Sequence, residues 1–203
     1  MPYRAPLVRE VLQTFLADYL RLVEPDSAQH LALDRITFPA LPRWSPEENQ
    51  RLGVVGEAPS RWGEQVTLLI RVEPEALTPA ELSRRIGCYF MDLEIHYCQP
   101  VLLHVIYLQG GRPGINLETA PLCRVFNMDV LRLYFTAFGV GGCRAEYYLE
   151  RPEPVAWALS ALMPPLRLSR AQHRQHCLER IAGCPLQEEH KTLLTRCIDA
   201  FLA

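Results

Sequence analysis

The chain has 203 residues, 49% of them hydrophobic and 22% charged, with a formal net charge of −2. That is enough apolar material for one domain with a sizeable core. The charge balance excludes a disordered segment and a protein that holds nucleic acid by its overall charge. All but one of the 21 basic residues are arginine, Lys191 being the exception, so chemistry that needs a lysine in the body of the fold is excluded.

Residues 7–23 place Leu7, Val8, Val11, Leu12, Phe15, Leu16, Tyr19, Leu20 and Val23 at helical spacing, which predicts an opening amphipathic helix. The proline-rich stretch FPALPRWSPEEN reads as a loop. RLGVVGEA and EQVTLLIRV read as two strands joined by PSRWG. TPAELSRRIGCYFMDLEIHY carries the clearest helix, with Thr78 as N-cap, Pro79 at the first position and Glu81 completing a capping box. PVLLHVIYLQGG predicts a buried strand, and LCRVFNMDVLRLYF and RAEYYL predict further strands. Three helices follow: one in EPVAWALSALMPP, one over 169–182 starting at Ser169, and one over 186–202. The order α-β-β-α-β-β-β and then helices predicts an α/β core over 1–150 with a C-terminal helical extension over 151–203 packed on it.

Seven cysteines, an odd number without a CxxC pair, predict free thiols in a reduced, cytoplasmic protein. His173 and Cys177 share a helix face, with Cys184 beyond, but the spacing matches no standard zinc module, so no zinc is expected. The apolar stretches are too short to span a bilayer, so no membrane partner is expected.

The stretch LLIRVEPE ends an apolar strand in Arg71, Glu73 and Glu75, which share one face at period two. A strand emerging into solvent accounts for them, and so does a chemical site at its end. If the strands over 52–58 and 65–73 form a hairpin turning near Gly63, Gly53 is expected opposite Glu73, within the span over which two carboxylates share a divalent cation. One of those positions holds glycine.

The stretch VTLLIRVEPEALTPAELSRRIGCYFMDLEIHYCQPVLLHVIYLQGG resembles the core of the recombination-promoting nuclease (Rpn), YhgA-like putative transposase family, within the PD-(D/E)XK nuclease superfamily. The order carries the resemblance: a hairpin strand with an Asp, a His-x-Glu-x-Gln strand end, a helix with an Arg and a Tyr, then a strand headed by Pro-Val. Glu73 takes the place of the family's Glu, Glu75 of its Gln, Arg71 of its His, and Gly53 of its Asp. Arg85, Ile86, Tyr89 and Pro100–Val101 continue the pattern, and FLADYLRLVEPDSAQHLALDRITF and the C-terminal helices resemble the family too. The resemblance implies a restriction-endonuclease-like mixed sheet with flanking helices. It also implies Mg²⁺-dependent hydrolysis of DNA, with Glu73 as metal ligand and Glu75 orienting the nucleophile. Arg71, Arg84 and Arg85 are the candidate phosphate contacts.

Glycine at position 53 removes the principal anionic ligand, so Mg²⁺ is poorly supported. Glu57, Glu10, Asp18 and Asp34 are the remaining acids that could substitute, and spacing selects none of them. The expectation is a degenerate nuclease-fold protein that binds DNA, a protein partner or another copy of itself. An active Rpn-type endonuclease and a purely structural interaction module are the alternatives.

Overall fold

Five strands, β1 (Val54–Pro59), β2 (Gln65–Glu75), β3 (Val101–Gln109), β4 (Gly114–Val125) and β5 (Met128–Gly139), form one mixed sheet in the order β1-β2-β3-β5-β4. This is a computed structural model, and it describes residues 4–39, 53–126 and 128–202. β2 is parallel to β3, and β3 to β5, while β1 and β4 run antiparallel to their neighbours. The protein is a mixed α/β fold whose sheet is flanked by helices.

Alternation along β2 decides how the layers form. Leu68, Ile70 and Val72 enter one apolar cluster and Leu69 enters another, so both faces of this strand need cover. The first face meets α1 (Arg4–Thr14), α2 (Leu16–Val23) and the C-terminal helices α6 (Ala145–Leu149), α7 (Pro154–Ser160), α8 (Arg170–Ala182) and α9 (Glu188–Leu202). The helices after residue 150 therefore share one core with the first helices of the chain. The second face meets one long helical segment: α4 (Pro79–Leu82), a π turn over Ser83–Gly87, and α5 (Cys88–Tyr97), which bury Leu82, Ile86 and Leu93. Thr78 caps this segment through the expected box with Glu81, and Ser169 caps α8 in the same way with Gln172.

Three expectations are corrected. The opening helix breaks at Phe15, although Tyr19 N–H still bonds to the Phe15 carbonyl across the break. LCRVFNMDVLRLYF is not one strand but the closing half of a hairpin, with Val125 paired to Met128 and Phe126 in the turn. Its first strand begins as early as Gly114. RAEYYL is not a strand: Ala145, Tyr148 and Leu149 are buried at helical spacing in α6, after a 3₁₀ turn over Val140–Gly142 ends β5. The adjacent tyrosines suggest a strand there, but the burial pattern has period 3.6. The loop expected over 38–49 lies almost wholly outside the described residues.

Two histidines lock the first core. His104 on β3 is fully buried. Its Nε2 lies 2.5 Å from Glu24 Oε2 and its Nδ1 lies 3.3 Å from the Tyr19 hydroxyl, which ties the N-terminal helices to the sheet. Partial burial pushes the Glu24 carboxyl up, but the hydrogen bond and charge of His104 hold it below the usual range. His173 on α8 is also fully buried. Its Nε2 is 3.1 Å from Ser160 Oγ, and its Nδ1 has no hydrogen-bond partner among the described residues.

Burial, together with the nearby His176, lowers the His173 pKa below its ordinary 6.5, with Glu146 opposing. The folded state therefore disfavours protonation. Its contribution is intact above the unfolded pKa and is lost as pH falls below about 6.5. Chemical denaturation between neutral and mildly acidic pH is expected to show falling stability, with the slope reduced in His173→Phe. An unchanged slope in that variant would remove His173 as the cause.

Candidate functional site

Arg71 and Glu73 alternate onto the β2 face that α4 and α5 cover, and each is almost fully buried, with exposures of 7% and 3%. A buried carboxylate needs a cation or strong hydrogen bonds. Glu73 has two cations. Arg71 donates to its Oε1 from Nη2 at 2.5 Å and from Nε at 3.2 Å, while Arg85 Nη1 lies 3.5 Å from its Oε2. Both carboxylate oxygens are thus engaged by guanidinium groups.

Helical geometry brings Arg85 there. Leu82 and Ile86 are buried, so the intervening Arg84 and Arg85 are exposed, and the long Arg85 side chain reaches back to the strand end. These residues fall within the π turn, a feature common at functional sites. Gly87 closes the turn against β4, where an added Cβ would stand 2.6 Å from Leu122.

Two donors in this cluster have no partner among the described residues: Arg71 Nη1 and Arg9 Nε. Burial, and then repulsion from Arg71, lowers the Arg9 pKa. Tyr107 pairs with Glu73 across β2 and β3. Its phenol is pushed up by burial first and then by the negative charges of Glu118 and Glu73. Two arginines therefore hold a single buried carboxylate, Arg71 from the same strand and Arg85 from the covering helix.

The register corrects the expected position of Gly53. Val54 pairs with Ile70, so the next step along the hairpin sets Gly53 at Arg71, two residues short of Glu73. Gly53 also has φ +106°, and a Cβ there would lie 2.1 Å from the Ile70 carbonyl oxygen. This glycine is required by close backbone approach and a left-handed conformation, whatever residue an ancestor held.

Glu75 does not join Glu73. It is exposed and lines a cleft of about 880 Å³ at the carboxyl ends of β2 and β3, with Leu108, Gln109, Arg170 and Phe201. Glu57 sits opposite Thr67, toward the other end of the hairpin. Glu10 pairs with Arg196 and Asp18 with Arg21, and Asp34 lies in a 3₁₀ turn away from the strand end. No group of three His, Cys, Asp or Glu residues able to hold a metal occurs among the described residues. The donor set around Glu73 does not fit Mg²⁺: its two oxygens are bonded to arginines, and the neighbouring guanidinium charge repels a cation.

No family model, no curated protein and no solved structure matches the chain.

Arg9, Tyr107 and Glu118 complete the site's surroundings without having been singled out in the sequence. Arg9 carried one signal, since it lies beside the apolar stripe of α1 between Val8 and Val11. Nothing local marked Tyr107 or Glu118, because strand pairing alone brings them near.

Removing the negative member should cost most. Glu73→Gln is expected to destabilise by about 3–5 kcal/mol, since it leaves a buried arginine uncompensated. Glu75→Gln should stay within about 0.5 kcal/mol, as exposed positions do. Gly53→Asp should destabilise through strain and collision, by about 1–3 kcal/mol, without gaining Mn²⁺ affinity. Urea denaturation and calorimetric Mn²⁺ titration check all three, and a stable Gly53→Asp variant that binds Mn²⁺ would reverse the account of the glycine.

Proposed function

We propose that this chain is a degenerate PD-(D/E)XK nuclease-fold protein of the Rpn, YhgA-like type, which binds the phosphate backbone of DNA and does not cleave it through Mg²⁺. The observation that carries the reading is the exposed pair Arg84 and Arg85 at the strand end, where Arg85 Nη1 lies 3.5 Å from Glu73 Oε2 and the buried Arg71 holds the same carboxylate. Guanidinium groups that face solvent form charge-assisted hydrogen bonds with anionic oxygens. A phosphodiester oxygen has that chemistry.

The topology is consistent with this lineage. An antiparallel hairpin ends in the acidic positions, a helix crosses over, and the next strand starts at Pro100–Val101 parallel to the first, which is the order the resemblance implies. The exposed Arg84 and Arg85 extend the positive surface outward from the buried cluster. With Glu73 committed to two arginines, no step of hydrolysis is assigned to it.

Fluorescence anisotropy with a short DNA duplex at graded salt tests the reading. The wild type should bind with an affinity that falls linearly on a log–log salt plot. Arg84→Gln and Arg85→Gln should each weaken binding across sequences and reduce the slope by about 0.9 per lost phosphate contact. Plasmid should stay intact in Mg²⁺. Absence of salt-dependent binding would leave a structural interaction module, and Mg²⁺-dependent nicking abolished by Glu73→Gln would instead establish an active endonuclease.

A further inference from the structure

Among the described residues, the β4–β5 ribbon is covered on one face only. Ala120, Leu133 and Phe135 belong to the core under α4 and α5. On the opposite face, alternation and register align Ile115, Leu117, Val125, Met128, Val130 and Tyr134, with exposures between 40% and 75%. The first-layer helices reach only the carboxyl end of β5, where Thr136 meets Glu24 and Phe138 stacks on Tyr148. At the tip, Phe126 is 94% exposed and has φ +53°, a conformation that Gly or Asn adopts at far lower cost.

We propose that this apolar face packs against the same face of a second copy of the chain, forming a two-fold symmetric dimer. The area supports it. With aromatic side chains presenting surfaces of order 150–250 Å² each and the aliphatic ones less, the six residues and Phe126 expose an apolar area on the order of 800 Å². That exceeds the ~300–600 Å² of a typical monomer's largest patch and meets the ~800 Å² per partner of a stable interface.

Charge does not oppose self-contact. Arg132, on the same face, has Asp129 at 3.5 Å as its counter-ion. A face of one chemistry paired with itself is what an isologous contact requires.

The contact is face to face, not edge to edge. β4 is an outer strand, but Pro121 interrupts its donors and a bulge follows between Pro121 and Arg124. The Pro121 carbonyl, moreover, already accepts from the Ser83 hydroxyl. Packed faces would seat Leu117, Val130 and Tyr134 near the two-fold axis, with each Phe126 lying along the other copy's ribbon. The dimer does not depend on the arginine cluster.

Sedimentation equilibrium of the full chain tests this. The wild type should dimerise at micromolar concentration and remain dimeric at high salt, as apolar contacts do. The variant carrying both Leu117→Glu and Val130→Glu should be monomeric with an unchanged circular dichroism spectrum. Ile95→Glu, at an exposed apolar position on α5, should stay dimeric. If the double variant fails to fold, Tyr134→Arg alone should weaken dimerisation at least tenfold. A wild type that is monomeric throughout overturns the proposal, as does one that floats as a monomer with phosphatidylcholine vesicles. A dimer that persists in the folded double variant overturns it too.

Discussion

Glu73 carries its charge with 3% exposure at the end of a strand that both cores require. Strand β2 cannot shift to release it, because Ile70 and Val72 fill one layer and Leu69 the other, and a one-residue slip would exchange the layers. The carboxylate must therefore be neutralised where it stands. Arg71 does this from the same strand, two residues away on the same face. Arg85 does it from the covering helix, which ties that helix to the strand end. One ion pair is local and cheap in chain entropy, and the other joins two layers. Together they link the hairpin, the crossover helix and β3, whose Tyr107 closes the cluster beside Glu73.

The same requirement explains why the acidic strand end does not act as a pair of acids. Glu73 and Glu75 look equivalent in the sequence, spaced by two with a proline between. Their surroundings differ sharply. Glu73 is still within the sheet, paired to Tyr107 and enclosed by arginines, whereas Glu75 pairs with Gln109 at the last rung and faces a solvent-filled cleft. A single step along the pleat separates a structural charge from a free one.

Much of the architecture was legible because it rests on local signals. The Thr78 and Ser169 capping boxes, the Gly63 turn, the apolar strand headed by Pro100 and the three terminal amphipathic segments each announce themselves within a few residues. What was not legible depends on register or on distant pairing. A turn centred at Gly63 sets Gly53 opposite Glu73, but the turn is centred one residue earlier, and Ser60 opens it by bonding to Trp62, Gly63 and Glu64. The β4–β5 turn was missed because Phe126 replaces the glycine or asparagine that marks such turns. Arg9 on α1 feels the charge of Arg71 on β2, a relation that no spacing rule contains.

The charge pattern of the cluster bears on function through its sign. A site that holds a divalent cation needs surplus negative charge, and a second carboxylate close to the first would supply it. Here Arg71 occupies the strand position beside Glu73, and Gly53, across the hairpin from Arg71, can hold no side chain, since it abuts the Ile70 carbonyl. Arginine stays protonated at any physiological pH, so this positive charge cannot be titrated away. Restoring cation affinity would require removing guanidinium groups and also rebuilding the backbone at Gly53, two changes that each destabilise the fold alone. The packing that stabilises Glu73 thus opposes a metal ion at the strand end.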